Sequence, residues 1–342
     1  MDRNSIRIAE EKVKEVIKGR DVLFITTKNL DYIRNTQEIE LIKVEANHFC
    51  IVGSMSKSYL KRLVHVYSKL LFSNLKKYDV VFVGFAPQLI LPFWKWKFAG
   101  KKKVIDFFIS MYDTFVNDRA KFKDGTFGAK VLKGIDRYTL RNAELIISDT
   151  KRHAQYFMND LGADANKILT LYLKADQEVY YPRVQCKPDN LKNKFVVLYF
   201  GSVLPLQGVD IVLKAFEILK QDERFHFYMI GKIGDKYEKV LSSNIEYIDW
   251  VSQDKLAKYI SSADLCLAGH FNNNIEKAKR TIPGKAYIYA AMEKPMILGD
   301  NAANHELFSA NDKDVCFVKM GDPADLAKKI VEMRDVSLNG FN

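Results

Sequence analysis

The sequence predicts an α/β protein made of two doubly wound, parallel-sheet domains facing across a cleft. Apolar strand-like runs alternate with helical periodicity from end to end, the pattern of parallel sheets covered by helices on both faces. At 342 residues the chain exceeds one ordinary core and suits two domains of common size. A polar stretch with two prolines, KADQEVYYPRVQCKPDNLKNK at residues 174–194, separates two halves of like architecture. The expected spans are 1–175 and 195–342, with a linker over 176–194.

In the first half DVLFITT, HFCIVGS, YDVVFVGF, KKVIDFFI and AELIISD read as strands. Helical periods fall near residues 31–43, 55–77, 127–142 and 151–161. In the second half FVVLYFG, FHFYMIG, IEYIDW, LCLAG, KPMILGD and DVCFVK read as strands, with helices near 208–220, 236–242, 253–262, 284–292 and 323–333. Their near-continuous apolar runs suit strands buried on both faces.

Composition narrows the classes. Hydrophobic content of 48% with 28% charged residues is that of a globular chain, not a disordered one. The N-terminal MDRNSIRIAEEKVKEVIKGR has no apolar h-region, so no secretory signal is expected. The longest uncharged stretch, residues 80–94, is too short to span a bilayer and contains Pro87 and Pro92. Cys50, Cys186, Cys266 and Cys316 lie far apart and read as thiols in a reducing cytoplasm rather than as a disulfide framework. No metal is expected: the histidines lack ligand spacing, and the one D-x-D, at Asp312 and Asp314, sits in a polar turn.

Residues 196–216, VVLYFGSVLPLQGVDIVLKAF, place a turn with Gly201 and Gly208 between an apolar strand and a helix. A helix start with free N–H groups suits an anion, most often a phosphate, although many such turns are only tight connections.

The order FGSVLPLQGVDIVLKAF, FYMIGKIG, IEYIDWVSQDKLAKYISSADLCLAG, KAKRTIPGKAYIYAAMEKPMILGDNAANHELF and VKMGDPADLAKKI resembles the donor half of GT-B glycosyltransferases of the large retaining, nucleotide-sugar-dependent group. The first half resembles the acceptor half more loosely, through LFITTKNLDYIRN and VIDFFISMYDTFVNDR. The resemblance implies two Rossmann-like domains, an acceptor-binding one followed by a donor-binding one. It implies Gly201 and Ser202 beneath a diphosphate, Gly231 and Lys232 beside the nucleoside, Trp250 and Val251 against the base, and Glu306 facing the sugar. No cofactor is implied; the co-substrate would be a UDP- or GDP-sugar. The family's usual cations beside the two glycines are replaced by Ser202 and Gln207, and its paired glutamates by Arg280 and Ile288. Lys277, Arg280 and Lys285, in K-A-x-R followed by I-P-x-K, supply cations that can take over contact with the diphosphate. A solvated basic helix start is the plainer reading of the same residues.

On the acceptor side, Asp113 is the expected base toward the attacking hydroxyl, with Asn29, Asp31 and Asp106 lining the same region. Asn29 and Asp31 could equally cap the next helix, and Asp106 could be a structural acceptor.

Net charge is +11, and from Lys57 to Lys103 there are eleven Lys or Arg against the single acid Asp79. At helical spacing Lys57, Lys61, His65 and Lys69 form one stripe with Arg62 and Lys76 beside it, opposite Leu60, Leu63, Val64, Tyr67, Leu70 and Leu71. Together with FWKWKFAGKKK, this suggests docking on an anionic membrane, with nucleic acid the less favoured partner. The expected protein is thus a cytoplasmic glycosyltransferase, peripheral on the inner face of the plasma membrane, serving a lipid-linked or glycan acceptor in bacterial surface polysaccharide or glycolipid synthesis. A GT-B-like partner subunit without activity and a nucleic-acid-modifying transferase are the alternatives.

Overall fold

The computed structural model describes residues 3–184, 187–234 and 237–339. The chain divides into two compact units between Lys174 and Ala175. Segment 176–194 goes with the second unit: Tyr180 and Leu191 are buried, and Lys187 pairs with Asp264 at 2.5 Å. Cys186 lies outside the described residues; Cys50, Cys266 and Cys316 are free thiols.

The first unit runs α1 (Arg3–Ile17), β1 (Asp21–Thr26), α2 (Ile33–Glu45), β2 (His48–Val52), α3 (Tyr59–Phe72), β3 (Val80–Phe85), α4 (Leu91–Trp94), β4 (Lys102–Asp106), α5 (Phe127–Arg141), β5 (Leu145–Ser148), α6 (Lys151–Leu161) and β6 (Ile168–Thr170). Its parallel sheet has the order β2-β1-β3-β4-β5-β6. Along β1 the side chains alternate between two cores. Val22 and Phe24 meet Val13, Ile17, Ile39 and Ile42, whereas Leu23 and Ile25 meet Val66, Leu70 and Phe157. Helix α1 was not expected, yet Ala9, Val13 and Ile17 recur every four residues and are buried against that first face.

The second unit runs β7 (Phe195–Phe200), α7 (Val209–Leu219), β8 (Phe225–Ile230), β9 (Ile245–Ile248), α8 (Gln253–Ser262), β10 (Leu265–Gly269), α9 (Glu276–Arg280), α10 (Gly284–Ala291), β11 (Met296–Gly299), β12 (Val315–Val318) and α11 (Pro323–Asn339). Its parallel order is β12-β11-β10-β7-β8-β9. The helix expected over 236–242 is absent across 237–242. There the Tyr247 hydroxyl donates to Val240 O at 3.1 Å and accepts from its N–H at 2.9 Å, holding the segment in a non-helical path.

In each sheet the strand order reverses once, between β1 and β3 and between β7 and β10. Doubly wound sheets bind ligands beyond the carboxyl ends of the strands at such a point.

Candidate functional site

At the switch point of the second unit, the turn after β7 is bonded to the loop after β10. Phe271 N–H donates to Gln207 O at 3.3 Å, and Asn272 Nδ2 donates to Pro205 O at 2.9 Å. Gly208 has φ +67°, and a Cβ there would lie 2.8 Å from Asn272 N, so only glycine allows the two segments to meet. Gly231 is required for a similar reason, since its Cβ would fall 2.1 Å from Gly201 O. Its smallness serves the packing of β8 beside β7.

Lys285 projects into this turn from the first residues of α10. That helix is anchored by Tyr289, whose ring meets Phe200 edge-on at 5.6 Å and whose hydroxyl reaches Leu267 O at 3.4 Å. The Lys285 ammonium donates to Gln207 Oε1 and lies 4.6 Å from the Tyr199 ring centroid. A Cβ on Gly201 would be 3.2 Å from its Nζ. Among the described residues no carboxylate lies within ion-pair distance of it. Lys285 is only 6% exposed, and burial pushes its pKa down to about 7. A buried amine facing Gly201 and Gly269, with one neutral side-chain partner, is a group prepared for an anion.

Helix α9 brings the other cations to the same edge. Leu206 of the turn packs on Ala278 of α9 and on Met320, which is why the PLxG turn and the K-A-x-R segment meet. Thr281 O faces His270 Nδ1 at 3.0 Å, and Asn301 Nδ2 donates to Ala278 O at 3.3 Å. Lys277 and Arg280 are half-buried there, beyond the carboxyl ends of β10 and β11. His270 itself has φ +56°, uncommon for a residue with a side chain. Sequence reading passed over it, and an apolar strand ending Gly-His was the available signal. Glu306 is half-buried in a short turn after β11. Ser202 and Lys232 are exposed after β7 and β8. Trp250 is 78% exposed after β9, with Val251 half-buried beside it. The expected donor-side residues thus all follow carboxyl ends of strands in one sheet. No group of three or more His, Cys, Asp or Glu is placed to hold a metal ion among the described residues.

Residues 194–335 match the model of the family described as glycosyl transferases group 1. This segment belongs to the group 1 glycosyltransferases. An uncharacterized 41.2 kDa protein in the cps region of Klebsiella pneumoniae is 26% identical over 198 residues, 56% of this chain and 53% of that protein. The chain therefore matches about half the length of that relative. Among solved structures, sucrose-phosphate synthase from Thermosynechococcus elongatus superposes with a TM-score of 0.66 at 11% identity, over 92% of this chain and 90% of that one. The Anabaena protein HepE in complex with UDP gives 0.64 at 12% identity, over 93% and 90%. The same protein with UDP-glucose gives 0.62 at 12%, over 93% and 91%. These likenesses run through both units and show the GT-B fold.

The first unit, which lies outside the matched segment, corrects several expectations. Asp113 is buried in a π-type turn over Asp113–Asp118, where its carboxylate accepts from Asn117 Nδ2 at 2.8 Å. It does not open toward an acceptor. The preceding loop is drawn inward by buried Asp136, which accepts from Ser110 Oγ, Met111 N, Tyr112 N and Gln88 Nε2 at 2.7–3.0 Å. Asp106 is also fully buried, paired with Arg34 Nε at 2.6 Å, and is a structural ion rather than part of an acceptor surface. Glu38 lies 3.6 Å from the same Nε, and burial pushes its carboxyl well above the ordinary value. Asn29 is half-buried and Asp31 exposed after β1. Neither caps α2, whose N-cap is Tyr32 without a side-chain bond.

Helix α3 also sits differently from expectation. Arg62 is buried and donates to the carbonyls of Thr27 at 3.1 Å, Ser56 at 2.5 Å and Lys57 at 3.3 Å. It anchors the start of the helix and is not part of a docking face. Leu60, Val64 and Leu71, expected on the apolar packing face, are exposed, and so is Phe72 at 84%. The buried stripe instead runs through Arg62, Val66 and Leu70. Exposed Lys57, Lys61 and Lys69 therefore stand next to exposed apolar side chains.

Proposed function

We propose that the chain transfers a sugar from a UDP- or GDP-sugar to a hydroxyl of a lipid-linked or glycan acceptor, with retention, in surface polysaccharide or glycolipid synthesis. The observation that carries this is the buried Lys285 ammonium at the switch point of a group 1 domain. A diphosphate against Gly201 would replace Gln207 as its main partner, and Arg280 and Lys277 would meet the charge that grows on the leaving group. The exposed indole of Trp250 is suited to lie against the base. HepE's complexes with UDP and UDP-glucose support a uridine donor, and the cps-region relative supports a polysaccharide setting. Asp113 is not retained as the base, because it is buried.

The first unit would dock on an anionic membrane through α3, an exposed apolar face edged by lysines being the arrangement of an interfacial helix. No helix among the described residues is long and apolar enough to cross a membrane. A panel of nucleotide sugars tests the reading: one donor should release its nucleoside diphosphate slowly without acceptor, and faster with a lipid extract. Absence of release from every UDP- and GDP-sugar would return the chain to the inactive partner-subunit reading.

A further inference from the structure

A groove of about 1000 Å³ lies at the opposite edge of the first sheet, beside the amino-terminal ends of β3 and β4. Arg20, Lys76, Lys97, Lys101, Lys102 and Trp96 line it, and Asp79 is its one carboxylate. Two of the ammonium groups are fixed by backbone carbonyls. Lys97 Nζ donates to Leu70 O at 2.6 Å and Leu71 O at 2.5 Å, closing the end of α3, and Lys101 Nζ donates to Tyr78 O. Asp79 Oδ2 is engaged by Asp21 N–H at 3.0 Å. Among the described residues Arg20, Lys76 and Lys102 have no carboxylate within ion-pair distance. The rim carries apolar groups: Trp96 of the lining is 63% exposed, and exposed Leu71 and Phe72 end α3 directly before the lining residue Ser73. Ligands of the reaction belong at the carboxyl ends of the strands, so this groove is a separate place.

The geometry points to a site for the phosphate headgroup of an anionic phospholipid, held by Arg20, Lys76 and Lys102 while Phe72 and Trp96 enter the acyl boundary. Five cations against one carboxylate favour a phosphate, and an exposed tryptophan beside them suits the interface between headgroups and chains. A soluble anion would explain the cations but not the apolar rim. The inference rests on the docking reading and gives it a headgroup-selective element, distinct from the lysines of α3.

The test uses the full chain with vesicles of phosphatidylglycerol and phosphatidylcholine whose acyl chains carry bromine, which quenches nearby tryptophan. Wild type should bind and be quenched, and Trp96→Phe should remove most of the quenching. The triple variant Arg20→Gln, Lys76→Gln, Lys102→Gln should bind about a hundredfold more weakly, from roughly one kcal/mol per cation. A charge-matched control on the second unit, Lys214→Gln, Lys255→Gln, Lys313→Gln, should bind like wild type. Equal binding by the groove variant and this control overturns the groove while leaving the docking reading standing. A wild-type protein that ignores the vesicles removes both, and quenching unchanged in Trp96→Phe overturns the seating of the groove at the membrane.

Discussion

Lys285→Met should make the empty protein more stable and deprive it of its hold on a nucleoside diphosphate. The wild-type ammonium has a folded pKa of about 7 against 10.5 for a free lysine, and burial is the cause. Between those values the unfolded chain binds more protons than the folded one, so stability rises with pH across the window. The cost is fully present below pH 7 and disappears above 10.5. A displacement of that size corresponds to about 4–5 kcal/mol. Methionine removes it but leaves Gln207 Oε1 without this donor, which costs about 1–3 kcal/mol. The net gain at pH 6 is then roughly 2 kcal/mol, or a rise in melting temperature of about 4–8 °C. At pH 10.5 the gain should be gone, with the variant equal to or below wild type. Melting curves across that range, with and without UDP or GDP, measure both halves of the claim. A variant less stable at every pH, by a constant amount, would show that the ammonium carries no burial cost and would refute the reasoning.

UDP binding at pH 8 should draw close to one proton onto Lys285, because a diphosphate restores the charged form; calorimetry in two buffers of different ionisation heat reads this, and equal heats would contradict it. Arg280→Ala should lower turnover by about 10²–10³ with a smaller effect on donor affinity, as for one lost transition-state charge contact. Unchanged turnover would assign Arg280 to a solvated face. Glu38 is held protonated by burial and by neighbouring Asp106, so the folded state keeps a proton that the unfolded chain releases above pH 4.5. Stability should therefore fall as pH rises past that value, and Glu38→Gln should gain at pH 8 and change little at pH 4. A gain equal at both pH values would show that Glu38 is ionised in the fold.

The strands were legible because parallel sheets buried on both faces demand unbroken apolar runs, and DVLFIT or FVVLYF admit little else. The short edge strand Ile168–Thr170 is too brief to show a period in the sequence. Helix α1 escaped notice because its apolar positions are set among many charges. The face of α3 was misjudged for a physical reason that hydropathy does not carry: three backbone carbonyls draw Arg62 inward and rotate leucines outward. Asp113 follows a strand in the sequence, but its burial follows from Asp136, more than twenty residues on, which gathers the preceding loop. The switch point shows the same limit. Cations at 277, 280 and 285 were visible as a pattern, whereas the contact of Lys285 with Gln207, across 78 residues, needed the fold.

Everything proposed for the donor rests on the second unit's switch point holding a nucleoside diphosphate. Its most direct test is a crystal structure of the protein grown with UDP or GDP. The diphosphate should lie against Gly201, with an oxygen within hydrogen-bond distance of Lys285 Nζ and Gln207 displaced from it. A nucleotide bound elsewhere, or a Lys285–Gln207 bond that persists with the diphosphate out of reach, would contradict it.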